Sequence, residues 1–259
     1  MQNRIKISIA GLVIEISSPS DRTQYQCYKY LSNSDPTIFV HLSKQELDQE
    51  IKKYEKLGIV NKNMVYINND NHIIVTVNEM NEAVIETTAV YRKIVEAVLP
   101  YDILLMHGAV VARGKESFMF TGPSGTGKTT HIKKWLEYGE DTYVVNGDKP
   151  LLKILENEVV ACGTPWCGKE QMSTNTMVPL KAIILMERCE YNHIERITFD
   201  KAYTFLIKQI YLPNDKKSVI MTLDLFNKLE GRVEFYLFRF NNFKEECFDI
   251  AYKTLVGNK

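Results

Sequence analysis

The chain has 259 residues, 45% of them hydrophobic and 25% charged, with 32 basic side chains balancing 32 acidic ones. That length supports one large domain or a core with a smaller appendage, and with no long run of either sign there is no electrostatic case for a nucleic-acid or membrane surface. No stretch approaches the roughly eighteen apolar residues of a membrane span, and Met1 to Arg4 lead into alternating Ile and polar residues rather than a leader segment, so the expected location is cytoplasmic.

In chain order, Ile5, Ile7 and Ile9 alternate with polar residues, Ala10-Gly11 turns, and Leu12, Ile14 and Ile16 alternate again, which predicts a hairpin with one buried face. Ser43-Lys44-Gln45-Glu46 reads as a capping box opening a helix that carries Leu47, Ile51, Tyr54 and Leu57 on one side and ends at Gly58. A second hairpin is expected over Met64 to Ile67 and His72 to Val77. No chemical motif precedes residue 80. Val90, Tyr91, Ile94, Val95 and Val98 predict a helix from about Glu82 to Leu99, stopped by Pro100. The expected division is therefore a small α+β region over 1–81 and a larger region over 82–259.

The larger region begins with two apolar runs, Ile103 to Ala112 and Ser117 to Phe120, joined by Arg113-Gly114-Lys115-Glu116, a tight turn that implies antiparallel pairing. A helix is expected from Thr129 to Glu137, stopping at Gly139, then a strand over Tyr143 to Val145. A hairpin of Leu151 to Leu155 with Glu158 to Cys162 follows. Gly163 to Pro179 is polar and without convincing secondary structure, a length at which loops are usually functional or mobile. Lys181 to Met186 is a buried strand. Asp200 caps a helix through Tyr211, a helix covers about Ser218 to Leu229, Val233 to Phe240 is an aromatic-rich strand, and Lys244 to Thr254 is a helix. The five cysteines, Cys27, Cys162, Cys167, Cys189 and Cys247, form no C-x-x-C pair and read as free thiols.

Gly122-Pro123-Ser124-Gly125-Thr126-Gly127-Lys128-Thr129-Thr130 fits G-x-x-x-x-G-K-[ST] between an expected strand and an expected helix, the context a phosphate-binding loop requires. Gly122, Gly125 and Gly127 let the backbone close on phosphate oxygens; Ser124, Thr126 and Thr130 belong to the same cradle. Lys128 suits the terminal phosphates and the Thr129 hydroxyl suits Mg²⁺, so a nucleoside triphosphate, ATP with Mg²⁺, is the expected ligand. The metal also needs a carboxylate from beyond the loop. Asp148, twenty residues after Lys128 at the end of a short strand, is the first candidate, with Glu187 its rival. His107, beside Gly108, is a candidate for proton transfer because imidazole titrates near neutrality. Lys169 is the available cation for developing phosphoryl charge, with Arg188 a weaker alternative.

The series His107-Gly108, Gly122 to Thr130 and Asn146-Gly147-Asp148-Lys149-Pro150 resembles the HPr kinase/phosphorylase catalytic domain and, more distantly, phosphoenolpyruvate carboxykinase. The match covers roughly Glu82 to the C-terminus, and Gly163-Thr164-Pro165-Trp166-Cys167-Gly168-Lys169 looks like a motif of HPr-kinase-like bacterial proteins. The resemblance implies an α/β fold with a P-loop kinase core of that type and a mixed sheet. It also implies ATP and Mg²⁺, a serine hydroxyl as acceptor, His107 and Asp148 in proton transfer and metal binding, and a homo-oligomer. One departure stands out. Gly147 occupies the first position of the family's Asp-Asp pair, so either Asp148 does both jobs, or a group in Gly163 to Pro179 supplies the base, or the chain binds nucleotide with little catalysis.

Two function classes follow: a kinase passing the γ-phosphoryl group to a hydroxyl of a protein, peptide or small molecule, and a nucleotide sensor that docks a partner. A GTPase is disfavoured because Asn227-Lys228-Leu229-Glu230 only approaches the guanine signature inside an expected helix. A carboxykinase is disfavoured because that enzyme's extra metal ligands and oxaloacetate-binding residues have no place here.

Overall fold

In the computed structural model the alternating isoleucines form the expected hairpin, β1 (Asn3–Ile9) with β2 (Leu12–Ser18). Ala10 and Gly11 turn it with φ of 52° and 77°, the pair of positive values a tight two-residue turn demands. The structure describes residues 3–56, 67–69, 72–74, 82–139, 141–241 and 245–257. These divide into two compact units, Met1–Ala97 and Val98–Lys259. The helix expected to open the second region therefore counts, but for its last residue, with the first.

In the first unit, α1 (Arg22–Cys27) follows the hairpin and β3 (Ile38–His41) adds to β2 in parallel, so Ile7, Ile14, Ile16, Ile38 and Val40 share one buried face. α2 (Lys44–Lys56) opens on the capping box, with the Glu46 N–H donating to Ser43 Oγ at 3.2 Å and the Ser43 N–H to Glu46 Oε2 at 2.8 Å. Its expected end, Leu57-Gly58, lies outside the described residues, as does most of the second hairpin. What is described of that hairpin is β4 (Ile67–Asn69) paired with β5 (His72–Ile74). α3 (Glu82–Val98) ties to α2 through Arg92 on Glu50 at 3.0 Å and Lys93 on Glu46 at 2.7 Å. The buried Glu86 carboxylate accepts from the Ser20 N–H and hydroxyl, the satisfaction a desolvated charge requires.

The second unit is a mixed nine-stranded sheet. Its strands are β6 (Ile103–Leu105), β7 (Ala109–Arg113), β8 (Glu116–Thr121), β9 (Thr142–Asn146), β10 (Leu151–Ile154), β11 (Val159–Cys162), β12 (Met177–Arg188), β13 (His193–Ile197) and β14 (Glu234–Phe240). β7 pairs antiparallel with β8, as the Arg113 to Glu116 turn implied. β8, β12 and β14 run parallel side by side. β12 is longer than expected and serves two neighbourhoods. Its first residues, alternating exposed and buried, pair with β11 in an antiparallel arm, while Ala182 to Met186 are buried on both faces.

Consecutive strand residues feed opposite cores. Val110, Met119, Ile183 and Leu185 face α5 (Phe199–Leu206) and α6 (Lys216–Asn227), whereas Val111, Phe118, Phe120 and Ile184 face α4 (Lys128–Tyr138) and α7 (Glu245–Val256). Among the described residues no helix is long and apolar enough to cross a membrane.

Two expectations are corrected here, and one strand is new. The run Ile103 to Ala112 is not one strand: β6 pairs with β10 and β7 with β8 and β9, and Met106-His107-Gly108 is the break between them. The helix expected to run from Asp200 to Tyr211 ends at Leu206, where a turn over 207–209 takes the chain away and Gln209 to Tyr211 bond alongside Leu105 to His107. β13, which sequence reasoning did not anticipate, is an edge strand of charged and apolar residues pairing with β14.

Candidate functional site

Gly108 is what breaks the first apolar run. A Cβ there would lie 3.0 Å from the Phe120 carbonyl oxygen and closer still to the end of the flexible Met119 side chain, so glycine lets the chain pass β8 without displacing either. The Gly108 N–H donates to the Asp148 carbonyl at 2.9 Å, and the Thr121 hydroxyl donates to the His107 carbonyl at 2.7 Å. Thus His107 is tied both to the end of the strand that enters the glycine-rich loop and to the turn that follows β9.

That turn is built around Asn146, which is fully buried. The Asp148 and Lys149 N–H groups donate to its Oδ1 at 2.9 and 2.7 Å, and its Nδ2 donates to the carbonyl and hydroxyl oxygens of Thr164, both at 3.0 Å. The equally buried Thr164 hydroxyl donates to the Lys149 carbonyl at 2.8 Å, closing a buried polar network with its partners satisfied. The network presents Asp148 toward His107, with Nε2 and Oδ1 2.9 Å apart, while Lys149 Nζ stands 3.3 Å from Oδ2. Partial burial pushes the Asp148 pKa up. The hydrogen bond from His107 and the charges of Lys149 and His107 outweigh it and leave the carboxyl below its ordinary value. On the far side of the ring, His107 Nδ1 is 3.2 Å from Gln209 Oε1.

The glycine-rich loop joins β8 to α4. Gly122, Gly125 and Gly127 have φ of 152°, 77° and 106°, and a Cβ on Gly122 would meet the Met186 carbonyl at 2.9 Å. Pro123, Ser124, Gly125 and Thr130 are exposed, Thr129 is half-buried, and Thr126 is buried with its hydroxyl donating to the Pro123 carbonyl at 2.5 Å. Lys128 is buried, its ammonium donating to the carbonyls of Gly122 at 2.9 Å and Pro123 at 3.2 Å. Desolvation pulls its pKa below the ordinary lysine value, opposed by the negative charge of Asp148. Loop and turn therefore share one electrostatic neighbourhood. Beneath them, His131 is buried among Phe120, Phe238 and Phe248 with Nε2 unpartnered, and burial holds its pKa at about 3.

The segment expected to be a polar loop without secondary structure is interior over its first residues and exposed over most of the rest. Thr164, Pro165, Trp166 and Cys167 are buried, and the chain runs beside β9, with the Thr174 N–H on the Val145 carbonyl and the Gly147 N–H on the Met172 carbonyl. This accounts for Gly147. A Cβ at that position would lie 2.9 Å from the Cys167 carbonyl oxygen, so the space an acidic side chain would enter is filled by backbone. Gly168, with φ of +80°, passes so close that its Cβ would sit 3.1 Å from that of Asp148. Lys169 follows in an exposed turn, and Glu170 reaches back to Lys133 of α4 at 2.8 Å.

Of the remaining sequence candidates, Glu187 bonds Arg239 at 3.0 Å on the neighbouring strand. Arg188 instead points its Nη2 to the Gly125 carbonyl at 3.4 Å. The polar residues that sequence reasoning assigned no role are Asn146, Thr164, Lys149 and Gln209. An Asn two residues before an Asp is an Asx-turn pattern and marks the first; no local signal marks Gln209.

A Mg²⁺ shared with nucleotide phosphates asks a protein for only one or two oxygen donors, and the Thr129 hydroxyl and the ionised Asp148 carboxylate are of the right chemistry. The residues fit such an ion, with Lys149 on a flexible stem beside the second Asp148 oxygen. No group of three or more His, Cys, Asp or Glu that could hold a metal occurs among the described residues.

No protein-family model matches the chain, and no curated protein matches it. Among solved structures it is similar to the HPr(Ser) kinase/phosphatase from Coxiella burnetii, at 12% identity over 59% of this chain and 87% of that one, with a TM-score of 0.30. A likeness that loose leaves the argument about function to the chain's own residues.

Proposed function

We propose that this chain is an ATP- and Mg²⁺-dependent kinase that passes the γ-phosphoryl group to a hydroxyl, a serine in the first instance, on a protein, peptide or small molecule. The observation that carries the reading is the pairing of Asp148 with His107 in the same electrostatic neighbourhood as Lys128. The sequence resemblance to HPr kinases points the same way.

Lys128 leaves its own loop carbonyls for the terminal phosphates, whose negative charge returns the cation a full partner. Mg²⁺, when bound, neutralises charge on the β- and γ-phosphates. The acceptor oxygen forms its bond to the γ-phosphorus as the bond from that phosphorus to the bridging oxygen breaks and ADP departs. Asp148 receives the hydroxyl proton. A carboxylate held below its ordinary pKa is a weak base, but a loose phosphoryl-transfer transition state asks for positioning and charge more than for basicity. His107 holds one Asp148 oxygen and leaves the other for the acceptor or the metal. Because backbone fills the space beside Gly147, Asp148 alone does both jobs in this reading.

The test is transfer from labelled ATP to candidate acceptors, with Lys128→Ala and Asp148→Asn beside the parent. Loss of transfer in both variants is expected. Undiminished transfer in Lys128→Ala would end the proposal, and tight Mg-ATP binding without turnover on any acceptor would favour a nucleotide sensor.

A further inference from the structure

We infer that Gln209 is a positioning residue for His107, its side-chain amide holding the imidazole so that Nε2 stays on Asp148; the inference rests on the phosphotransfer reading for its purpose, but not for its geometry. Gln209 lies 102 positions from His107 in sequence, yet the two are joined twice. The His107 N–H donates to the Gln209 carbonyl at 2.7 Å, and Nδ1 stands 3.2 Å from the side-chain Oε1. An isolated bridge between Met106 and Ile210, and the Tyr211 N–H on the Leu105 carbonyl at 3.1 Å, make this a short antiparallel splice rather than a chance approach. Met106 and Ile210 are both buried. The Gln209 N–H donates to the carbonyl of Leu206, a residue with no exposed surface at the end of α5, so the splice is anchored in the core.

Packing alone does not orient the ring, since the His107 side chain is 35% exposed. Its two ring nitrogens do. An ionised carboxylate only accepts, so Asp148 requires the proton on Nε2. The atom that faces Nδ1 is the amide oxygen, and an amide, with oxygen at one end and NH₂ at the other, can accept from a protonated Nδ1 or turn over to donate to a bare one, keeping the Nε2 proton on Asp148 in either case. The hydrogen bond at one nitrogen decides the tautomer at the other. An apolar residue would do neither. Remove the amide, and the ring is free to rotate and to populate the tautomer that turns an unprotonated nitrogen to Asp148.

The experiment compares the parent with Gln209→Leu, of similar bulk, at one fixed pH. Three quantities are read: the ring nitrogen signals of His107 by long-range ¹H–¹⁵N NMR, Mg-ATP affinity, and steady-state kinetics on an accepted hydroxyl substrate. The parent should show the proton on Nε2, and the variant a mixture of tautomers. kcat should fall about tenfold to a hundredfold with KM for ATP little changed, since Asp148, no longer held by an Nε2 proton, loses most of its contribution as a positioned base. Unchanged ATP affinity serves as the folding control, and Gln209→Asn, too short to reach the ring, should reproduce the loss. Ring signals identical in parent and Gln209→Leu would overturn the inference, and so would altered signals with an unaltered kcat. If the parent transfers to no acceptor while the ring signals still change, the phosphotransfer reading falls and the amide's hold on the ring stands.

Discussion

The glycine-rich loop and the turn after β9 are held in opposite ways. The loop's own side chains bond locally: Lys128 and Thr126 reach carbonyls only three to six residues away, and its tip is exposed. The turn is held by distant residues, with Asp148 on His107 41 positions back, Asn146 on Thr164 18 positions on, and His107 on Gln209 102 positions on. A local device can be moved between folds as a motif. A distributed one exists only once the sheet has formed, and its failure is felt as lost stability as well as lost chemistry.

The largest effect should come from acid, acting below the loop rather than in it. The folded His131 pKa of about 3 lies under the ordinary histidine value of 6.5, so between those values the unfolded chain binds the extra proton. Stability is complete above about pH 6.5 and falls toward pH 3, at up to about 1.4 kcal/mol per pH unit from this group. His131→Phe should flatten that slope in denaturant titrations from pH 7 to 4; equal slopes in parent and variant would show that the ring is not the cause. The shift of Asp148 acts with the same sign, being lost as pH falls through its lowered value.

Next comes Asn146→Ala, which removes the acceptor of two N–H groups and a donor to buried Thr164. It should cost about 2–4 kcal/mol and depress transfer while Mg-ATP affinity changes less. A variant as stable as the parent would mean that the network is not holding the turn. Gly147→Ala drives a Cβ against the Cys167 carbonyl and should cost about 1–3 kcal/mol, read as a lower melting temperature together with faster proteolysis in 163–176. Smallest is Lys133→Ala, which opens an exposed ion pair to Glu170 and should change stability by less than about 1 kcal/mol. A larger loss would show that α4 and the 163–176 segment are coupled more tightly than two exposed charges allow.

How much of this was legible in advance follows the same division. The capping box at Ser43, the turn at Ala10-Gly11 and the β7–β8 hairpin at Gly114 were readable because each is made by neighbours in sequence. The loop was readable for the same reason. The break at His107-Gly108 was not, since both residues lie inside a run of apolar side chains and it is the close approach of β8 that favours the glycine. Gln209 was hidden inside a stretch of helical pattern, and the turn that ends the helix early sets it beside His107. Trp166 and Cys167 were read as part of a polar loop because their neighbours are polar, whereas both are buried and the chain after them bonds along β9 and its turn through Thr174 and Met172.

The sequence by itself determined the strand, glycine-rich loop and helix, the two-sided apolar strands, and the candidacy of His107 and Asp148, because backbone conformation and side-chain periodicity are properties of adjacent residues. Only the tertiary structure decided that those two side chains meet, that Asn146 and Thr164 hold one of them and Gln209 faces the other, and that no room exists beside Gly147. Those facts depend on which strands become neighbours, and that is settled by burying two apolar cores on either side of one sheet.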